Sequence, residues 1–263
     1  MLAVVANARF LVPLADGPSV EAVYYGSGTL CISSQAGCAV GCPFCASGSR
    51  GLLRNLSEDE MWAQLESARA QGYEPLRITV SGIGEPLHNF QSLLAFLDRC
   101  RAAALPVSLT TTGGPLNSLK KILHLPHNGL MLSLHAGKPA THRLLIPRAP
   151  DFNSLMECLT QVLTTLSRRR RRKIGINYLL LQGVNDDRTE FLSLVPLFRR
   201  FPELTLHLLT CNPVSDSAYE SPSAEKIDEL HGALAGLGIH VRRPNPWRIQ
   251  QDGGCGTLFV RSF

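Results

Sequence analysis

Short apolar runs rich in branched residues alternate along the chain with segments whose apolar positions recur at helical spacing. The runs lie at 29–33, 76–81, 106–111, 129–134, 173–181 and 203–210, and they predict six strands. Segments 57–70, 89–103, 152–167, 187–201 and 223–235 predict helices, the first opened by a capping box in Ser57-Glu-Asp-Glu60. Strands and helices that alternate this way build a sheet of parallel strands joined by crossovers. The expected fold is therefore α/β, an incomplete barrel of six strand-helix units. Residues 1–20 read as a short N-terminal extension and 21–263 as one core domain, with no internal repeat.

Parallel barrels assemble their sites from the loops that follow the strands. The unusual polar residues of this chain fall in those places. They are the cysteine loop after the first strand, Gly82-Ile-Gly-Glu85 after the second, and Thr110-Thr-Thr-Gly113 after the third. Ser133-Leu-His-Ala136, Gly183-Val-Asn-Asp186 and Cys211-Asn-Pro213 follow the remaining three. Turn chemistry accounts for any one of these, but not for six in register.

Composition narrows the class. With 263 residues and 44% hydrophobic content, the chain is large enough for one substantial core. No run approaches the length needed to span a bilayer, and residues 1–17 lack the features of a secretory leader. The eight cysteines follow no secreted scaffold, so a reducing, cytoplasmic setting is expected. The formal charge of +5 permits RNA without demanding it. Arg168 to Arg172, followed by Lys173, form the densest charge run. It reads either as a solvated face or as a phosphate-contacting patch.

Cys38, Cys42 and Cys45 stand in the spacing Cys-x3-Cys-x2-Cys on one loop, with no fourth cysteine near them in sequence. Three thiolates leave a coordination position open to something other than protein. The other reading is a zinc loop completed by a distant His or Cys. The spacing, with Phe44 before the last cysteine, resembles the signature of radical S-adenosylmethionine (SAM) enzymes. The resemblance sharpens in Cys31-Ile-Ser-Ser-Gln-Ala-Gly-Cys38, Gly82-Ile-Gly-Glu-Pro-Leu-His-Asn89, Ser133-Leu-His-Ala136, Asn212-Pro213 and Gly254-Cys-Gly256. In that order these motifs resemble the RlmN/Cfr family of radical SAM RNA methyltransferases, from about Glu21 to Leu258.

The resemblance implies a partial (βα)6 radical SAM barrel with short N- and C-terminal additions, lacking the family's N-terminal accessory domain. It implies a [4Fe-4S] cluster on Cys38, Cys42 and Cys45, with SAM on the open iron. Gly84, Glu85, Thr110, Ser133, Leu134, His135 and Asn212 match the SAM contacts. By chemistry alone Glu85 suits the ammonium of SAM, while a strand-end packing role accounts for His135 equally well. The implied reaction methylates carbon 2 or 8 of adenosine in ribosomal or transfer RNA. In it Cys255 carries the methyl as a thioether, a 5'-deoxyadenosyl radical activates that methyl, and Cys31 releases the product by forming a disulfide with Cys255. Glu21 stands where the family has a carboxylate proton acceptor, although its spacing to Cys31 is shorter here; an exposed surface carboxylate is the plain alternative. Cys100, Cys158 and Cys211 read as structural. A monomer, away from membranes, served by an electron donor such as flavodoxin or ferredoxin completes the expectation. The missing RNA-holding domain leaves open a small-molecule or protein substrate, or a non-catalytic relative. Exposed thiols of low pKa suit the proposed exchange, which fits a site mouth more than a core, while a lone cysteine in an apolar strand, as Cys31 is, is by itself more often a packing residue.

Overall fold

The described residues of the computed structural model are 6–214, 217–249, 253 and 256–261. Their chain opens with strands β1 (Ala8–Pro13) and β2 (Ser19–Tyr25), then β3 (Thr29–Ile32). A small hairpin, β4 (Gln35–Gly37) and β5 (Leu52–Asn55), brackets the cysteine loop and leads into α1 (Glu58–Ala70). The repeating part continues through β6 (Arg77–Val80), α2 (Phe90–Ala102), β7 (Val107–Thr111), α3 (Leu116–His124) and β8 (Gly129–Ser133). Helices α4 (Pro139–Leu145), α5 (Phe152–Thr165) and α6 (Arg168–Arg171) precede β9 (Ile174–Leu180). After α7 (Arg188–Leu192), α8 (Val195–Arg200) and β10 (Thr205–Thr210) come α9 (Ala224–Gly236), β11 (Val241–Arg242) and α10 (Pro246–Ile249).

One sheet takes the order β1-β2-β3-β6-β7-β8-β9-β10-β11. From β3 onward neighbouring strands run parallel, as the alternation requires. All six expected strands are present, and the α/β partial barrel is the observed architecture. Two features differ from expectation. Residues 8–25 form an antiparallel hairpin that extends the sheet through β2 and β3, so a boundary at 20/21 falls inside a strand. The helix expected at 187–201 is split into α7 and α8, because Pro196 in the first turn of α8 has no N–H to give the preceding turn.

The capping box forms as expected: Glu60 N–H donates to Ser57 Oγ at 3.1 Å, and Ser57 N–H donates to the Glu60 carboxylate at 2.8 Å. The arginine run makes helix α6 at the N-terminal end of β9, the end of the barrel away from the cysteine loop. Arg168 and Arg171 each reach Glu203 at 3.1 Å, and Arg171 also donates to the Leu163 and Leu166 carbonyls. Arg170 donates to the His124 carbonyl. With Lys173 donating to the His127 carbonyl at 3.2 Å, four of the six cations of the run are engaged by the protein itself.

Candidate active site

The cysteine loop is shaped by glycines where the backbone demands them. Gly37 has a positive φ of 85°, and a Cβ there would sit 2.2 Å from the Gly51 carbonyl. That close approach lets Cys38 N–H donate to Gly51 O at 3.0 Å, while Cys45 N–H donates to Cys42 O at 3.1 Å. Beneath the loop lies a small apolar cluster of Val40, Phe44, Leu145, Ile146, Leu179 and Leu181, against which Cys38, Cys42 and Cys45 pack.

Burial, reinforced by the neighbouring sulphurs and by Glu85, pushes the Cys42 thiol well up. The same burial, opposed by the Val40 N–H and aided by Cys45 and Glu85, pushes Cys38 up to about 11. Sulphurs that raise one another's proton affinity in this way are relieved by a bound cation. Among the described residues, no three His, Cys, Asp or Glu side chains converge on a single ion.

A cavity opens beside Cys45 at the C-terminal ends of the strands. Strand register explains its lining. Cys31 pairs with Thr79, Ser133 with Asn177, and Asn177 with His207, so these residues share the face turned into the barrel. Of the residues expected from the sequence, Cys45, Thr110, Ser133, His135 and Asn212 line this cavity.

Gly84, Glu85 and Leu134 stand behind its wall. A Cβ on Gly84 would lie 2.6 Å from Gln35 Cβ, whose side-chain oxygen accepts from Glu85 N–H at 2.7 Å. The Glu85 carboxylate is buried and already engaged. One oxygen accepts from Thr111 Oγ1 at 2.5 Å and Leu87 N–H at 3.1 Å, the other from Thr112 N–H at 2.7 Å and Thr112 Oγ1 at 2.8 Å. Burial raises its pKa, and the Thr111 hydroxyl is the largest opposing influence.

His135 adopts a positive φ of 55° and lies edge-on to Phe44, with ring centroids 5.4 Å apart. Burial lowers its pKa to about 3, so the ring is neutral at ordinary pH. Leu179 N–H donates to its Nδ1 at 3.0 Å, which leaves the proton on Nε2 as a donor. Packing and cavity lining are therefore both roles of this one side chain.

Sequence reasoning passed over Ser81, Asn177 and Thr210. Asn177 is only 4% exposed, yet it lines the cavity, and the buried Thr210 hydroxyl has no hydrogen-bond partner in the protein. Both point to a polar ligand. The signal available in the sequence was one asparagine in the otherwise apolar run 174–180.

Cys31 is 2% exposed, not placed at a mouth, because its strand is flanked by β2 and β6. Its Sγ is nevertheless 3.3 Å from Ser81 Oγ, which lines the cavity. Glu21 is likewise not a surface carboxylate; it is 1% exposed. It accepts from Phe259 N–H at 3.1 Å and from Arg261 at 3.2 and 3.3 Å, with Arg9 at 3.9 Å. It thereby ties the C-terminal tail to β2. Cys255 lies outside the described residues. Near it, Gly253 O accepts from Tyr25 Oη at 2.8 Å, and Gly256 O accepts from Ala46 N–H at 2.8 Å beside the cysteine loop. Removing the anion from this buried group should cost about 3 kcal/mol. Glu21→Ala is expected to lower the thermal midpoint and to make the tail cleavable by protease, while Glu21→Gln retains part of both. An unchanged cleavage pattern would show that the tail is held elsewhere.

The fold and the cysteine loop define a class. The chain belongs to the radical SAM superfamily, whose family model matches residues 32–195. It is 33% identical over 261 residues to a protein of Stutzerimonas stutzeri (strain A1501) named "Probable RNA methyltransferase", covering 97% of this chain and 75% of that one. Similarity to a protein of the same description from Pseudomonas aeruginosa (strain UCBPP-PA14) is 34% over 261 residues, covering 97% and 74%. Among solved structures, a radical SAM methyltransferase from Sphaerobacter thermophilus superposes with a TM-score of 0.83 at 28% identity, covering 96% of this chain and 77% of that one. The chain is thus an enzyme of radical SAM methyltransferase type, and its cofactors are a [4Fe-4S] cluster and SAM. Among the described residues no helix is long and apolar enough to cross a membrane.

Proposed function

We propose that the chain is an RlmN/Cfr-type methyltransferase that methylates carbon 2 or 8 of adenosine in RNA by way of a methylated Cys255. The single observation that carries the reading is the position of Cys31. Its sulphur is on the inward face of the sheet, 3.3 Å from the hydroxyl of Ser81, and Ser81 lines the cavity that Cys45 and Gly256 also line. A purely structural thiol has no need of that face. The two relatives described above are both named as RNA methyltransferases, which supports RNA as the substrate class.

When bound, the cluster and SAM supply a methyl group and a carbon-centred radical. The protein's part is to hold and orient. Cys38, Cys42 and Cys45 hold the cluster, and Thr110, Ser133, His135 and Asn212 present hydroxyl, imidazole N–H and amide groups to SAM. Gly84, Glu85 and Leu134 shape the wall behind them, Glu85 by fixing Thr111 and Thr112. Cys255 takes the methyl as a thioether and becomes tethered to the adenine carbon; the Cys31 thiolate then attacks the Cys255 sulphur, forming the S–S bond as the S–CH2 bond breaks, and the electron pair leaves with the carbon, which takes a proton to become the methyl group, the disulfide being reduced by a dithiol before the next turnover. Glu21 accepts a proton in the resemblance; its ion pair with Arg261 also anchors the tail that carries Cys255. An acidic flavodoxin or ferredoxin supplies electrons, and the enzyme acts as a cytoplasmic monomer.

Anaerobic reconstitution with iron and sulphide, followed by SAM and a reductant, is expected to leave one methyl group on the Cys255 peptide by mass spectrometry. Cleavage of SAM without that methyl would move the enzyme to a small-molecule or protein substrate.

A further inference from the structure

A fourth cysteine shares the site. Cys211, which follows β10, lines the same cavity as Cys45 and packs in the same small cluster as Cys38, Cys42 and Cys45. Strand register explains why. His207 and Leu209 pair with Asn177 and Leu179, both cavity residues, and Cys211 continues that inward-facing series two residues on. Its backbone is clamped from both sides by Ser221, whose Oγ accepts from Cys211 N–H at 2.7 Å and donates to its carbonyl at 3.2 Å. Among the described residues the thiol donates only to two backbone carbonyls, Asn212 O at 3.5 Å and Tyr219 O at 3.8 Å. A thiol is a weak donor, so these bonds hold the sulphur loosely.

We propose that Cys211 is a reserve ligand of the cluster, binding the open iron before SAM arrives and yielding that position to the amine and carboxylate of SAM. This rests on Cys38, Cys42 and Cys45 holding the cluster. The exchange balances without any redox change. One iron-sulphur bond to Cys211 breaks, bonds from iron to the SAM nitrogen and oxygen form, and the proton lost by the SAM ammonium passes to the departing thiolate. The thiol then rests against the Asn212 and Tyr219 carbonyls, the arrangement observed here. Asn212, the next residue, lines the cavity as well, so the step from reserve ligand to bound SAM is made within one turn of chain. The benefit is chemical: a cluster with an uncapped iron loses that iron on oxidation, and a fourth thiolate protects it.

The test follows conversion of the reconstituted full chain from [4Fe-4S] to [3Fe-4S] by electron paramagnetic resonance during ferricyanide titration without SAM. Cys211→Ala is expected to convert about tenfold faster than the wild type, and Cys211→Ser at an intermediate rate. Saturating SAM should remove the difference. Equal rates without SAM would overturn the proposal, and so would a difference that SAM leaves intact, since that marks a packing defect. Should Cys211→Ala fail to take up a cluster, the serine variant decides on the same criterion. A wild type that takes up no cluster would overturn both this proposal and the assignment of the three loop cysteines.

Discussion

Cys42→Ala is expected to abolish iron uptake, the visible sulphur-to-iron absorption and the reductive cleavage of SAM together. The reason lies in the loop. Cys42 is flanked by Cys38 and Cys45, and burial with the charges of those sulphurs makes an unbound thiolate at its position unfavourable. A cation supplies the compensation, and two remaining thiolates on a short loop hold a cubane poorly. Loss of the sulphur leaves Gly37, Gly41 and the apolar cluster beneath in place, so the variant should fold; unchanged far-ultraviolet circular dichroism checks this. Iron content and SAM cleavage that both survive would remove the cluster from this loop. Stoichiometric zinc in the wild type, in place of iron, would restore the zinc reading.

Cys31→Ala should trap a covalent protein-RNA adduct. Cys31 sits between Val23 and Thr79 in the sheet, and alanine fills the same backbone site with loss of one sulphur atom. The cost of that small void is about 1 kcal/mol, too little to unfold a domain of this size. Chemistry is therefore what changes: methyl transfer to Cys255 and attack on the base proceed, but no second thiol resolves the tether. A slow-migrating, nuclease-sensitive protein band should accumulate in Cys31→Ala and be absent from Cys255→Ala. Normal turnover of Cys31→Ala would sink the resolving role, and absence of any adduct together with absence of product would point to a different substrate.

Burial of Cys31 bears on the same reaction. The sequence suggested an exposed thiol, whereas the sheet covers its strand on both edges. The buried sulphur lies one side chain behind the cavity, 3.3 Å from Ser81 Oγ in its wall.

Much of the fold was legible. The six parallel strands follow from apolar runs alternating with helical spacing, and the Ser57–Glu60 box formed as its chemistry dictates. The cysteine loop was legible too, because three thiols within eight residues are a local pattern. Less was legible where one side chain answers to a distant one. Glu85 looked like a free carboxylate for an ammonium; the fold gives both of its oxygens to β7 and the turn after it. The arginine run read either as a solvated face or as a phosphate-contacting patch, yet Glu203 and the His124 carbonyl, both remote in sequence, hold Arg168, Arg170 and Arg171. Asn177 looked like one polar residue in an apolar strand until its neighbours Ser133 and His207 put it on the inner face.

By itself the sequence determined the strand and helix order, the cysteine loop and the class of chemistry, since each depends on residues within a turn or a short loop of one another. Tertiary structure alone decided which side chains share the cavity, that Cys31 is buried against the Ser81 hydroxyl in its wall, that Cys211 joins the loop cysteines, and that Glu21 holds the tail. Those relations depend on the register of neighbouring strands, and a shift of one residue would turn each inward side chain outward.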